Sequence, residues 1–76
     1  MTPEIIGNRI AAGRKAREMS QRAFAKRIGV GHSLLNRWEK GHGMPSLFNA
    51  ICVADELGIS LDYLTGRSAD GRLIRQ

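Results

Sequence analysis

The sequence predicts an all-α fold, a compact bundle of five short helices in one domain. Three observations carry that prediction. Apolar residues recur at three- and four-residue spacing as far as Leu64, and no stretch alternates with the period of a strand. Four of these stretches open on a hydroxyl residue suited to N-cap a helix, namely Thr2, Ser20, Ser46 and Ser60. Glycines then punctuate the joins, at Gly29-Val30-Gly31, Gly41 and Gly58. A chain of 76 residues permits one domain with a modest buried fraction, so good packing or self-association has to support it.

Taken in order, Thr2 caps a first helix with Pro3 at its first position and an end near Arg17. Ile6 and Ile10 point inward, with Ala11 and Met19 beside them. Gly7 and Gly13 each weaken this helix by about 1 kcal/mol against alanine. Ser20 caps a second helix, Gln21 to about Arg27, whose apolar stripe is Ala23, Phe24, Ala25 and Ile28. After the glycine break a third helix runs from His32 to about Lys40, with Leu34, Leu35 and Trp38 at helical spacing. Its N-cap is Gly31, which offers no side-chain oxygen. Two short helices joined by three or four residues including glycine form a helix-turn-helix arrangement over about 20–40.

The loop His42-Gly43-Met44 leads to Pro45, and Ser46 caps a fourth helix from Leu47 to about Leu57. Its expected stripe is Leu47, Ala50, Ile51, Ala54 and Leu57. Gly58-Ile59 turns the chain, and Ser60 caps a short fifth helix, Leu61 to Thr65, with Leu61 and Leu64 buried. The domain is expected to occupy 1–66. Residues 67–76 are expected to form a flexible basic tail whose one apolar feature is Leu73-Ile74.

The formal net charge is +5, and its distribution is uneven. Residues 1–45 carry nine basic against three acidic side chains, whereas 46–66 carry three acidic ones and no base. A basic end that holds the two-helix motif is what a phosphate-facing surface requires. Cys52 is the single cysteine, so no internal disulfide is expected and it reads as a small core or near-core residue. No signal peptide or apolar membrane span is legible, and the expected compartment is a reducing cytoplasm, at the nucleoid. His32 and His42 lie ten residues apart without a cysteine or carboxylate set, so no metal site is expected. No nucleophile–base pair or phosphate loop is present, and the expectation is a non-enzyme without cofactor.

The run Ser20-Gln21, Phe24-Ala25, Ile28-Gly29-Val30, Leu35-Asn36-Arg37-Trp38-Glu39-Lys40-Gly41, Pro45-Ser46, Ala54 and Leu57 through Gly66, with Arg14 ahead of it, resembles the lambda-repressor/Cro family. This is the xenobiotic-response-element type of helix-turn-helix domain, and the likeness covers Ile6 to Gly66. It implies sequence-specific binding of double-stranded DNA, with the third helix in the major groove and the second across the backbone. His32, Ser33 and Arg37 match the family's base-contacting positions, and Asn36 faces the same groove. His32 can donate to guanine N7, and Arg37 can make a bidentate contact to guanine O6 and N7. Gln21 matches a phosphate-contacting residue. Arg14, Lys40 and Asn36 are the next phosphate candidates, with Arg22 assisting and Gly31 in the same set. Glu39 matches an acid that forms a structural ion pair with an arginine, here Arg14, and the two roles of Arg14 compete.

Three departures from the family stand out. Gly13 occupies a position usually held by leucine and should leave a hole unless Phe24 reaches across. Gly31 replaces the usual Ser or Thr. Leu34 stands where a polar or small side chain is usual, and it reads as a contact to thymine methyls or an exposed leucine, with a protein-contact surface the lesser alternative. The resemblance implies a Cro- or repressor-like transcription regulator bound as a homodimer, even if only on DNA, to an inverted repeat. The alternatives are a protein-interaction adaptor on the same fold and the DNA-binding fragment of a longer regulator. No membrane or small-molecule partner is expected.

Overall fold

Each of the four hydroxyl caps satisfies a backbone donor that the first turn of a helix leaves without a partner. Thr2 Oγ1 accepts from the Ile5 N–H at 3.1 Å and Ser20 Oγ from Ala23 at 3.0 Å. Ser46 Oγ accepts from Asn49 at 3.2 Å and Ser60 Oγ from Tyr63 at 3.0 Å. The computed structural model describes residues 2–69, and five helices follow in the expected order. They are α1 (Pro3–Ala16), α2 (Gln21–Ile28), α3 (His32–Glu39), α4 (Leu47–Leu57) and α5 (Leu61–Thr65). Between α2 and α3 the chain turns at Gly29, whose φ of 77° lies in the left-handed region that a side chain disfavours. This lets the Val30 N–H reach back to the Ala25 carbonyl at 3.0 Å and closes α2 in one residue.

One core unites the five helices. Ile6 and Ile10 of α1, Phe24 and Ala25 of α2, and Leu35 and Trp38 of α3 meet Ala50, Val53, Ala54 and Leu57 of α4 and Leu64 of α5. Met19, Ile28, Val30, Ile59 and Leu61 close its edges, so Leu61 is half-buried rather than enclosed. Ala23, read as part of the apolar stripe of α2, faces solvent, and Leu34 lies exposed on α3. The fourth helix differs more. Leu47 and Ile51 were expected inside and are exposed, while Val53 is fully buried. The buried set 50, 53, 54 and 57 and the expected set are both helically periodic. Because α4 is apolar on nearly every side, periodicity alone does not choose between the two faces. Cys52 is half-buried beside this stripe.

The position of Gly13 is not a hole. A Cβ built there would lie 2.8 Å from Leu57 Cδ1, so the space is filled from α4 by Leu57 and not by Phe24. Gly7 is under a harder constraint, since a Cβ there would lie 2.2 Å from the Trp38 carbonyl oxygen and 3.0 Å from that of Glu39. Backbone touches backbone at this crossing of α1 and α3. At the other end, the start of the expected tail is tied down. The Arg67 and Ser68 N–H groups both donate to the Asp62 carbonyl, at 2.8 and 3.1 Å. The rest of that expected tail, 70–76 with Leu73 and Ile74, lies outside the described residues.

These two glycines predict opposite responses to the same change. Gly7→Ala gains about 1 kcal/mol of helix propensity but forces two backbones apart, at a cost of about 1–3 kcal/mol or more. Urea unfolding of G7A is expected to show a net loss of stability. Gly13→Ala meets only the end of a leucine side chain, so G13A is expected to lie within about 1 kcal/mol of the parent. Equal midpoints for the two variants would contradict the backbone contact.

Candidate nucleic-acid interface

The candidate interface is built on the starts of α2 and α3 and on the loop that follows α3. Leu35 and Trp38 are held in the core, which turns Ser33, Asn36, Arg37 and Lys40 to the opposite side of α3. His32 lies on the flank nearer α2 and Leu34 on the other flank. Ser33, Leu34, Arg37 and Lys40 are exposed, while His32 and Asn36 are half-buried. Gly31 is an exposed N-cap without a side-chain bond, and a Cβ there would meet open space. The amides of the first turn of α3 therefore have no side-chain cap.

A hydrogen-bonded network sets the angle of α3 against its neighbours. The Arg14 guanidinium donates from Nε to Glu39 Oε2 at 2.7 Å and from Nη2 to Glu39 Oε1 at 3.0 Å. Its Nη1 donates to the Met19 carbonyl at 2.7 Å. Gln21 Nε2 donates to Glu39 Oε1 at 2.9 Å and to Asn36 Oδ1 at 3.2 Å. Gln21 Oε1 and His32 Nε2 lie 3.1 Å apart, a bond in which the ring nitrogen donates. The chain of contacts thus runs from α1 through the α1–α2 turn and α2 to both ends of α3. The hydrogen bond to Glu39 raises Arg14 above its ordinary pKa, partly offset by burial and aided by the charge of Glu39.

This geometry sorts the expected site residues. Arg14 is buried with all three nitrogens engaged inside the protein, so the structural ion pair is present and the phosphate-facing role is not. Gln21 sits at the first position of α2 as expected, but its amide is turned onto α3 rather than outward. Arg37 folds along the helix so that Nη2 donates to the His42 carbonyl at 3.0 Å. The His42 N–H in turn donates to the Arg37 carbonyl at 2.9 Å. Arg22 lies exposed on the first turn of α2, and Lys40 is the exposed C-cap of α3.

Several basic residues that the sequence counts as free charge hold helices together. Arg9 stacks over the Tyr63 ring at 4.0 Å and donates to the Tyr63 and Ser68 carbonyls, the latter at 3.0 Å. Arg17 Nη2 donates to the Leu57 carbonyl at the end of α4 at 2.7 Å, and Arg27 pairs with Glu56 at 2.7 Å. No local signal reveals these roles, because each partner lies 29 or more residues away along the chain. Among the described residues no group of three His, Cys, Asp or Glu side chains is placed to hold a metal ion. No helix among them is long and apolar enough to cross a membrane.

A helix-turn-helix family model matches residues 10–64, which takes in the turn, the network and most of the core. This chain belongs to the Cro/C1-type helix-turn-helix family. Over 64 residues it is 39% identical to the transcriptional repressor RstR of the cryptic phage CTXphi from Vibrio cholerae. That match covers 84% of this chain and 57% of the repressor, so the chain spans little more than half of that relative. Over 64 residues it is 42% identical to the HTH-type transcriptional regulator YazB of Bacillus subtilis, covering 84% of this chain and 93% of YazB. Among solved structures, it is similar to the P22 c2 repressor in complex with a synthetic operator. The TM-score is 0.75 at 34% identity, over 78% of this chain and 89% of that one. The expected fold class and family are both met.

The network yields a test of geometry separate from charge. Arg14→Lys keeps the cation but loses the bidentate contact and leaves buried acceptors on Glu39 and Met19. R14K is expected to lose about 1–3 kcal/mol in denaturant unfolding. Removing the charge entirely in Arg14→Ala should cost about 3–5 kcal/mol, because Glu39 is left buried and unpaired. Equal stability of R14K and the parent would show that charge alone suffices.

Proposed function

We propose that this domain is a transcription regulator that reads specific double-stranded DNA as a homodimer on an inverted repeat. The observation that carries this reading is the two-sided character of α3. One side is anchored in the core by Leu35 and Trp38, and the other carries Ser33, Asn36, Arg37 and Lys40 outward. A helix of this width fits the major groove, where donor and acceptor patterns distinguish the four base pairs. Similarity to a repressor solved on operator DNA supports the same reading.

In this mechanism Ser33 and Arg37 contact base edges, with His32 and Asn36 beside them and Leu34 against thymine methyl groups. Arg37 is released to a guanine by exchanging its bond to the His42 carbonyl, a solvent-accessible bond worth about 0.5–1.5 kcal/mol. The backbone amides at the starts of α2 and α3, around Gln21 and Gly31, face a phosphate, and Arg22 and Lys40 add positive charge there. Gln21 acts mainly through His32 and Asn36, holding them in register for the bases. One short helix reads only a few base pairs, so two half-sites one helical turn apart supply the remaining specificity. The role is recognition and not catalysis, exercised where the chromosome lies.

Selection of bound duplexes from a random pool at about 0.15 M salt, with and without Arg37→Ala, tests the reading. The parent is expected to enrich an inverted repeat. R37A is expected to lose about 1–3 kcal/mol on that site and to relax one position in each half. Arg22→Ala should instead weaken all duplexes alike and lower the salt slope by about one. Weak, sequence-blind retention in both parent and R37A, removed by salt, would overturn the proposal.

A further inference from the structure

The apolar residues left outside the core are concentrated in one place. Among the described residues the exposed large hydrophobics are Leu34, Met44, Leu47, Phe48 and Ile51, and four of the five fall between 44 and 51. Leu47 and Phe48 keep 71% and 72% of their surface, and Met44 and Ile51 keep 48% and 39%. On α4 the positions 47, 48 and 51 share one side, and Met44 stands just ahead of its N-cap, Ser46. A leucine and a phenylalanine so open on adjacent positions form a contiguous apolar patch, which on a small domain marks a contact surface.

The charge pattern says which partner this patch suits. Each copy carries a net +5, so two copies repel unless they meet where the charge is missing. From Gly41 to Ala54 there is no Asp, Glu, Lys or Arg at all. In a two-fold pair the same patch meets itself, like against like, and an uncharged apolar face is self-compatible in a way that a charged one is not. Asp55, one turn beyond Ile51 on the same side of α4 and exposed, ends the face with a polar rim. We infer that a second copy of this chain docks on the face formed by Met44, Leu47, Phe48 and Ile51.

The position of this face links it to the reading helix. It begins in the loop directly after α3, and the His42 carbonyl in that loop already accepts from Arg37. Pairing across Met44 and the start of α4 therefore joins two copies beside their α3 helices. Four side chains fall short of the roughly 20–30 residues a side of a stable interface. The free pair is therefore weak, and DNA that holds two copies side by side strengthens it. This inference names the surface behind the homodimer proposed above and rests on that reading only for its coupling to DNA.

The test pairs the parent with the double variant Leu47→Glu/Phe48→Glu, both positions being on the surface. Circular dichroism and urea unfolding first confirm that the variant folds like the parent. Without DNA, sedimentation equilibrium over a wide concentration range should show parent association that the variant weakens by about tenfold or more. On DNA found by selection, affinity for one isolated half-site should stay within about twofold. Cooperative binding of two copies to the full repeat should fall by about tenfold or more. A parent that stays monomeric at all concentrations and binds two half-sites without cooperativity would overturn the inference. So would a variant that associates as the parent does. Failure of DNA binding with association intact at this face would sink the DNA reading alone.

Discussion

The pairing of Arg14 with Glu39 is the interaction on which the arrangement of the motif depends. Burying two charges costs several kcal/mol each, and their attraction offsets this only when the remaining donors and acceptors are satisfied as well. Here both carboxylate oxygens and all three guanidinium nitrogens are used. Because Nη1 holds the Met19 carbonyl and Gln21 shares Glu39 Oε1, the pair ties α1, the turn before α2, the start of α2 and the end of α3 into one unit. Apolar contact among Phe24, Leu35 and Trp38 is non-directional. The directional bonds to Glu39 and Asn36 are what hold α3 at one rotation about its own axis.

A second constraint works on the same two helices. Gly7 lies against the carbonyls of Trp38 and Glu39, so α1 and α3 approach to backbone contact. Arg14 lies two turns further along the same side of α1. The close crossing brings Glu39 within reach of a bidentate bond to it, while Ile10 fills the space between as a fully buried side chain. A helix-weakening residue in α1 is thus the condition for the buried bidentate pair of Arg14 and Glu39. At Gly13 the logic is milder, since Leu57 occupies the room that a larger side chain would take.

Four arginines among the described residues are engaged with other parts of the fold, while Lys15 and Lys26 lie exposed along with the basic side chains of the motif. Arg9, Arg14, Arg17 and Arg27 bind carbonyls, a ring or carboxylates within the fold. Arg22, Arg37 and Lys40 remain on the surface around the motif, and Arg37 bonds only to the loop that follows its own helix. The surface available to a polyanion is therefore smaller and more local than the basic N-terminal half implies. The uncharged apolar start of α4 adjoins it, so a face suited to a second copy and a face suited to DNA share the loop 41–44.

The sequence by itself determined the helix count, the four hydroxyl caps, the glycine turns and the family. Each of these is written within a few residues, because capping and chain reversal involve neighbours along the backbone. It also placed Glu39 with Arg14, through resemblance and not through spacing. Only the tertiary structure decided which side of α4 is buried, since apolar residues on most sides of Leu47–Leu57, with only Asn49, Asp55 and Glu56 polar, leave the helical period without a unique phase. Only the tertiary structure showed that Leu57 fills the place beside Gly13, that Gln21 faces α3, and that Arg9 and Arg17 act as clamps. Those contacts join residues 11 to 59 positions apart. Such pairings are settled when whole helices dock, and no local pattern in the chain carries them.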